Sequence, residues 1–385
     1  MRVLFYVDTG GSTGGPGMHS ILLWRAFAQR HPERTGPLVF PGSDEDRQIF
    51  AAQIGEENIR ALGSSALVDP GADPVVVEDR FYERLCALAR EERCDHIHVL
   101  WGFLPPRQIE RVPVRDRVPV TITLCDATGR GEEADVDAMF FGSDRWERYL
   151  REALRVPAGY LAISDRTRRD ALAKDVPAGD VETVHLWVDP KLAERRAVSA
   201  PPSSTWEADD YVAYVGGLAE YKGVGHILDY ALLHPDRRVK MTGYTFDDFP
   251  IVWSRYSSVE YLGYRPYPEV IDLVCGSRAL LHLSYSEGFG LPMIEAQTLG
   301  VPVIVNPRNV MVKELLAPGS YVSAGNVASP TSIEAAILLA IRHRESIVAR
   351  GFENAKRFEQ ERQLARLVRG MERAHERLRR DGWAP

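Results

Sequence analysis

The sequence predicts an α/β protein built as two similar halves, each a parallel β-sheet covered by helices. Three observations carry this. Short apolar runs of strand character alternate with helix-period segments along most of the chain. The length, 385 residues, suits two or three domains. An aperiodic stretch at residues 191–210, containing Arg195-Arg196 and Pro201-Pro202-Ser203-Ser204, separates the halves as a linker would.

The first half opens with a strand at residues 2–7, followed by the glycine loop Gly10-Gly-Ser-Thr-Gly-Gly-Pro-Gly17. A helix over 18–29 places Ile21, Leu22, Trp24 and Ala28 at helical spacing. A short strand at 38–40, a helix at 80–91 and a strand at 97–100 come next. The apolar strand 118–124 ends at Cys125-Asp126, and residues 145–155 form a surface helix in which Glu147 and Glu152 break up the basic side. A strand at 160–163 leads to Ser164, which can cap a helix over 165–173. His98, on its strand, reads as a core histidine. The second half has strands at 211–215, 239–242, 259–262, 279–283 and 302–306, then helices from 331 onward with Ala335, Ile337, Leu338 and Ile341 on one face. The last stretch, 360–380, is strongly charged and helical. The expected units are 1–193, a linker at 194–209, 210–360 and a final segment at 361–385.

Composition excludes several classes. A net charge of -7 argues against a general nucleic-acid binder, which would show a basic domain. Cys86, Cys94, Cys125 and Cys275 are scattered without a Cys-x2-Cys pair, fitting neither a zinc site nor a disulfide framework. No cofactor is expected. Asp135-Val-Asp137 lies in a mixed loop, not at a strand end where it could bridge a diphosphate through a metal, so none is expected. The N-terminus lacks a signal-peptide pattern. No apolar run approaches the roughly 20 residues that span a bilayer. A cytoplasmic protein is the expectation, with peripheral membrane contact open.

Chemistry concentrates in Ser284-Tyr-Ser-Glu-Gly-Phe-Gly-Leu-Pro-Met-Ile-Glu-Ala-Gln-Thr-Leu-Gly-Val-Pro-Val-Ile304. Glu287 and Glu295 have seven residues between them, beginning with the turn Gly288-Phe289-Gly290. The strand 279–283 leads in and a helix starts near Leu291, so Glu287 sits at a strand's carboxyl end and Glu295 one turn into the helix. In open α/β sheets ligands bind in that crevice. A helix start suits a phosphate. Two carboxylates so placed can hold sugar hydroxyls at both ends of a diphosphate.

The first glycine loop could also cradle phosphates. No register supplies the three glycines of a dinucleotide fingerprint, and Pro16 stands where a Walker A lysine would follow Gly15. The second half opens with Val215-Gly-Gly-Leu-Ala-Glu-Tyr-Lys-Gly223, which carries Gly216 and Lys222.

Together these segments resemble retaining glycosyltransferases with two facing Rossmann-like domains, the GT-B fold, and glycosyltransferase family 4 in particular. The 284–304 string matches the Glu-x7-Glu signature, and 215–223 the Gly-Arg-Leu-x-x-x-Lys-Gly motif. Residues 120–126 match a strand ending in Thr-x-His-Asp, and Val188-Asp189 the end of a domain-closing segment. The resemblance implies an interdomain cleft, a C-terminal helix returning to the first domain, and transfer of a sugar from a nucleoside diphosphate to an acceptor hydroxyl. It also implies roles. Glu295 binds the donor ribose. Glu287, with the backbone of Phe289, Gly290 and Leu291, holds the transferred sugar. Lys222, Gly216 and the Gly14-Gly15 loop face the diphosphate, and Asp126 meets the acceptor, whether small molecule, oligosaccharide or glycan. Two departures stand out: Gly217 replaces the usual arginine and Cys125 the usual histidine. Arg265, Arg278 and Arg308 are candidates for the missing cation. Two other readings stay open, a nucleotide-sugar 2-epimerase and a catalytically inactive nucleotide-binding homologue.

Overall fold

The computed structural model describes residues 1–7, 15–42, 44–63, 80–102, 104, 106–125, 150–196, 206–207, 209–245 and 250–384. They divide into two compact units, one of residues 1–186 with 361–385 and one of residues 187–360.

The first unit holds seven strands: β1 (Val3–Val7), β2 (Thr35–Phe40), β3 (Ile59–Ala61), β4 (His96–Trp101), β5 (Val120–Leu124), β6 (Gly159–Ala162) and β7 (Val181–Thr183). All pair in parallel, in the order β3-β2-β1-β4-β5-β6-β7. The chain therefore winds outward from β1 in one direction, then reverses and winds outward from β4. Every residue of β1 and β5 is buried, as central parallel strands require when helices cover both faces. The helices are α1 (Gly15–Arg30), α2 (Asp44–Ile54), α3 (Phe81–Glu91), α4 (Pro106–Arg111) and α5 (Asp165–Leu172). Helix α3 turns Phe81, Tyr82, Leu85, Cys86 and Ala89 inward, the spacing of one helical face. The Ser164 hydroxyl caps α5 by accepting from the Thr167 N–H, as the sequence predicts.

His98 is a core residue, as read from the sequence. Its two ring nitrogens lie 2.8 and 3.1 Å from the hydroxyls of Thr121 and Thr123, and burial pushes it down to about 3. Imidazole and threonine thus satisfy each other between neighbouring strands. Of the helix expected at 145–155, residues 150–153 are helical, with Leu150 and Leu154 buried and Arg151, Glu152 and Arg155 exposed. Residues 145–149 lie outside the described ones.

The second unit begins before the expected linker, and its first helix is α6 (Leu192–Arg196). Six strands follow: β8 (Tyr211–Val215), β9 (Arg238–Thr242), β10 (Val259–Tyr261), β11 (Leu280–His282), β12 (Val303–Val305) and β13 (Val322–Ser323). They too are parallel, in the order β10-β9-β8-β11-β12-β13. The winding repeats that of the first unit, with the reversal between β8 and β11. Helices α7 (Val224–Leu233), α8 (Tyr267–Cys275), α9 (Leu291–Leu299), α10 (Val310–Leu315), α11 (Pro330–Arg342) and α12 (Arg344–Ala355) complete it. The core joins Val212, Tyr214, Val239, Met241 and Leu281 of the sheet to Ile227, Tyr230 and Ile337 of α7 and α11.

Gly243, just past β9, has φ +150° and lies against the loop after β8. A Cβ there would sit 1.7 Å from the Gly216 carbonyl oxygen. The adjoining backbone holds the two loops together, with the Leu218 N–H donating to the Tyr244 carbonyl at 2.7 Å.

The last helix, α13 (Gln360–Arg380), belongs to the first unit, as the resemblance implies. Gly370 and Ala374 press on Leu161 and Gly159, and the Arg377 guanidinium donates to the Ala158 carbonyl. Its buried side chains, Leu364, Leu367, Val368, Met371, Ala374 and Leu378, form one stripe. Among the described residues no helix is long and apolar enough to cross a membrane.

Candidate functional site

The reversal between β8 and β11 sets the site. At such a switch point the loops leaving two neighbouring strands run in opposite directions and open a crevice between them. Residues 216–223 leave β8 and residues 283–290 leave β11, and they are tied together: the Tyr285 N–H donates to the Tyr221 carbonyl at 2.8 Å. Gly223 has φ +72° and backs onto Leu283, where a Cβ would fall 2.4 Å from the carbonyl oxygen. This close approach brings the preceding residue over the second loop.

That residue is Lys222. Its ammonium donates to Glu287 Oε2 at 2.7 Å, with the side chains only 19% and 11% exposed. The other oxygen, Oε1, lies 3.2 Å from His282 Nε2 at the end of β11. Burial alone would raise the Glu287 carboxyl. The Lys222 ammonium and the His282 imidazole outweigh it and hold the group well below the usual carboxylate range. The site therefore presents a fixed ion pair, Lys222 also lying 4.9 Å from the centre of the Tyr221 ring.

Helix α9 starts beside Glu287. Its N-cap is Gly290, so no side chain caps the helix start. Pro292 in the first turn has no N–H and the Met293 N–H donates to the Gly290 carbonyl at 3.0 Å, so what the helix start offers an anion is chiefly its positive dipole end. Phe289 contributes backbone only, since its ring is buried against Phe358 at 5.8 Å. Glu295 is half-buried one turn further, and Tyr267 at the start of α8 donates to its Oε1 at 2.8 Å. Burial, reinforced by the Asp189 carboxylate and opposed by the Tyr267 bond, pushes Glu295 up to about 7. The two glutamates thus sit in opposite electrostatic settings on one short segment.

Several sequence-derived candidates come together here: Glu287, Glu295, Lys222, Gly216, Phe289, Gly290 and Leu291. Gly217 keeps a backbone role, its carbonyl accepting from the Tyr214 hydroxyl at 2.7 Å. Gly15 is the first residue of α1. Gly14 and Asp126, with the Asp135 and Asp137 pair, lie outside the described residues. Arg278 does not fill the place of the missing arginine: it is 1% exposed and 3.4 Å from the Asp210 carboxylate. Arg265 is exposed and lies 3.6 Å from Glu269. Arg308 is exposed on the loop after β12, which Asn309 ties to the Ser284 carbonyl at 3.0 Å. It is the candidate placed beside the Glu287 loop.

Residues 200–357 match the sequence profile of the family described as glycosyl transferases group 1. The matched stretch lies within the second unit. Among curated proteins, the chain is 28% identical over 235 residues to O-antigen chain mannosyltransferase B of Escherichia coli. The matched region spans 55% of this chain and 60% of that protein, less than two thirds of its length. Solved structures resemble the whole chain. Anabaena Alr3699/HepE in complex with UDP and glucose aligns with a TM-score of 0.70 at 15% identity, over 97% of this chain and 100% of that one. Sucrose-phosphate synthase from Thermosynechococcus elongatus gives 0.66 at 14%, over 96% and 98%. These likenesses fix the fold as GT-B. Within the matched stretch, the switch-point crevice is where Lys222, Glu287 and the start of α9 meet.

His282, Tyr267 and the influence of the Asp189 charge on Glu295 were not legible as site features. His282 is the one polar residue in the apolar run 279–283 and lies five residues before Glu287, the single available signal. Nothing near Tyr267 in sequence points to Glu295.

Proposed function

We propose that the protein is a glycosyltransferase that moves a hexosyl group from a nucleoside-diphosphate sugar to an acceptor hydroxyl, with retention at the anomeric carbon and without a metal. The observation that carries this reading is the Lys222–Glu287 pair at the switch point beside the uncapped start of α9. A cation and a helix start converging on one crevice suit a diphosphate whose charge grows as it leaves. The group 1 domain match supports a nucleotide-sugar donor, as does UDP with glucose in the Anabaena structure of the same fold.

In this reading Lys222, with Gly216 and the Gly14-Gly15 loop, stabilises the departing diphosphate. Glu287 and the backbone of residues 289–291 hold the sugar, Glu295 takes the ribose hydroxyls and Asp126 meets the acceptor. The leaving phosphate takes the acceptor's proton as the new glycosidic bond forms on the face it vacates. The cysteine pattern fits a reducing compartment, so the reaction is placed in the cytoplasm.

Thermal melting against UDP, GDP, ADP and TDP tests the donor site, because a ligand of the native state raises apparent stability by mass action. One base will raise the melting point and name the donor class; no shift with any of the four overturns the reading. Glu295→Ala is expected to weaken the preferred nucleotide about 10- to 100-fold, the loss of charge-assisted hydrogen bonds worth about 1.5–3 kcal/mol. Calorimetric titration giving wild-type affinity would remove Glu295 from the donor site.

A further inference from the structure

We propose that Tyr267 is a positioning residue for Glu295: the phenol fixes one carboxylate oxygen and leaves the other to a ligand's vicinal hydroxyls. The inference rests on the donor-site reading above and adds one residue to it.

The geometry is specific. Tyr267 donates its one O–H to Glu295 Oε1 at 2.8 Å. Among the described residues no second hydrogen bond reaches that carboxylate. A carboxylate accepts through two oxygens, so Oε2 is available while the bond to Oε1 sets the plane of the group. Glu295 stands on a buried helix wall between Ile294 and Ala296, where an unheld glutamate would sample several rotamers. The phenol removes that freedom before a ligand arrives.

Asp189 is held in place independently of Glu295. Its Oδ1 accepts from the Lys191 N–H at 3.0 Å, closing a local turn. The following helix, α6, is pinned to the start of α8: Arg195 donates to the Pro268 carbonyl at 3.2 Å and pairs with Asp272. Pro268 adjoins Tyr267, so the segment that carries Asp189 is anchored next to the phenol. Asp189 and Glu295 are both half-buried, and the Asp189 charge acts on Glu295 and on Tyr267 through space.

The other charged groups on the packed elements are engaged elsewhere. On α8, Glu269 lies near Arg265 and Asp272 pairs with Arg195. Lys191, Glu194 and Arg195 of the α6 segment are exposed. On α12, Arg344 donates to the Gly300 carbonyl, Arg350 lies against Gly319 and Glu353 pairs with Lys356. His282 of β11 faces Glu287. Tyr267 and Asp189 are therefore the groups that set the electrostatics of Glu295.

The direction follows. Glu295 is pushed up to about 7, first by burial and then by Asp189, against the Tyr267 bond. Its ionised form accepts hydroxyl hydrogens and its protonated form accepts weakly, so affinity for a ribose diol rises with pH through the neutral range. One unit below the midpoint, affinity falls about tenfold from its plateau. Asp189→Asn removes a like charge and moves the midpoint down. Tyr267→Phe removes the bond that favours the carboxylate, moves the midpoint up and weakens binding at neutral pH. Opposite shifts from two nearly isosteric changes are not what general loosening produces.

The test is calorimetric titration of the full-length protein with UDP, GDP, ADP and TDP from about pH 5.5 to 8.5, on wild type, Y267F, D189N and E295A, each checked for folding by thermal melting. The nucleotide's own phosphate titrates near pH 6 in every protein, so each profile is read relative to that of E295A. A wild-type midpoint near neutrality with opposite shifts in the two variants supports the proposal. A flat wild-type profile, or variants that lose affinity with an unmoved midpoint, overturns it. E295A binding as tightly as wild type, or no binding of any of the four nucleotides by wild type, defeats the donor-site reading itself; weak binding by E295A with unmoved variants defeats this inference alone.

Discussion

Lys222→Ala will lower turnover by about 10²- to 10³-fold, the loss that follows removal of one preorganised charge facing developing negative charge. Steady-state rates with the donor identified by melting measure it, and near-wild-type turnover would remove Lys222 from the reaction. The same change acts on the fold. Glu287, 11% exposed, loses its cation and is left with the His282 imidazole 3.2 Å away. Removing one partner of a buried pair costs about 3–5 kcal/mol. The double variant Lys222→Ala/Glu287→Gln separates the two effects, because the neutral amide restores much of the melting temperature and none of the turnover. The pH dependence has a definite sign. A carboxyl held below its usual range contributes stability that is present above its unfolded value of about 4.5 and is lost as pH falls through its folded value. Lys222→Ala therefore moves the acid limb of the melting curve to higher pH.

Gly243→Ala is expected to cost at least about 3 kcal/mol or to leave the second unit unfolded. Backbone strain at a conformation reserved for glycine contributes about 1–3 kcal/mol. The added methyl also collides with the Gly216 carbonyl, whose loop is held by its own bonds to β9 and to Tyr244. Gly225→Ala is the control. That glycine lies in α7 with no atom within 4 Å of a new Cβ, so alanine there should raise stability by roughly 0.4–1 kcal/mol. Denaturant titration of both variants decides the matter. A Gly243→Ala protein as stable as wild type would show that the loops after β8 and β9 can part freely.

These two residues show how unevenly the site could be read from sequence. Lys222 belongs to a contiguous motif, and Glu287 and Glu295 to another. Their chemistry is carried by local spacing, and a strand, a glycine turn and a helix place them without help from distant parts of the chain. The strands of the core were legible for the same reason: β1 is a continuous apolar run, and β5 alternates β-branched Val, Thr and Ile before its final Leu. Residues whose role comes from contact across the sheet leave no such trace. Gly243 is one glycine among 31, and only the approach of the Gly216 loop demands it. Tyr267 lies 28 positions before Glu295 in a different helix. The short strand β3, Ile-Arg-Ala, has a charged centre and too few residues to declare a period. Arg278 looked like a spare cation in sequence, whereas folding buries it beside Asp210.

The return of α13 to the first unit has a consequence for how the chain is made. That unit's sheet is finished at β7, yet the helix that covers Leu161, Ala158 and His96 is encoded beyond the whole of the second unit. At about 5–20 residues per second, translation of residues 187–360 takes roughly 9–35 s. Throughout that interval the nascent first unit carries an uncovered apolar strip on β6, while the second unit emerges with all of its own parts. The N-terminal unit therefore waits for its closing piece, which makes it the segment that chaperones would be needed to guard.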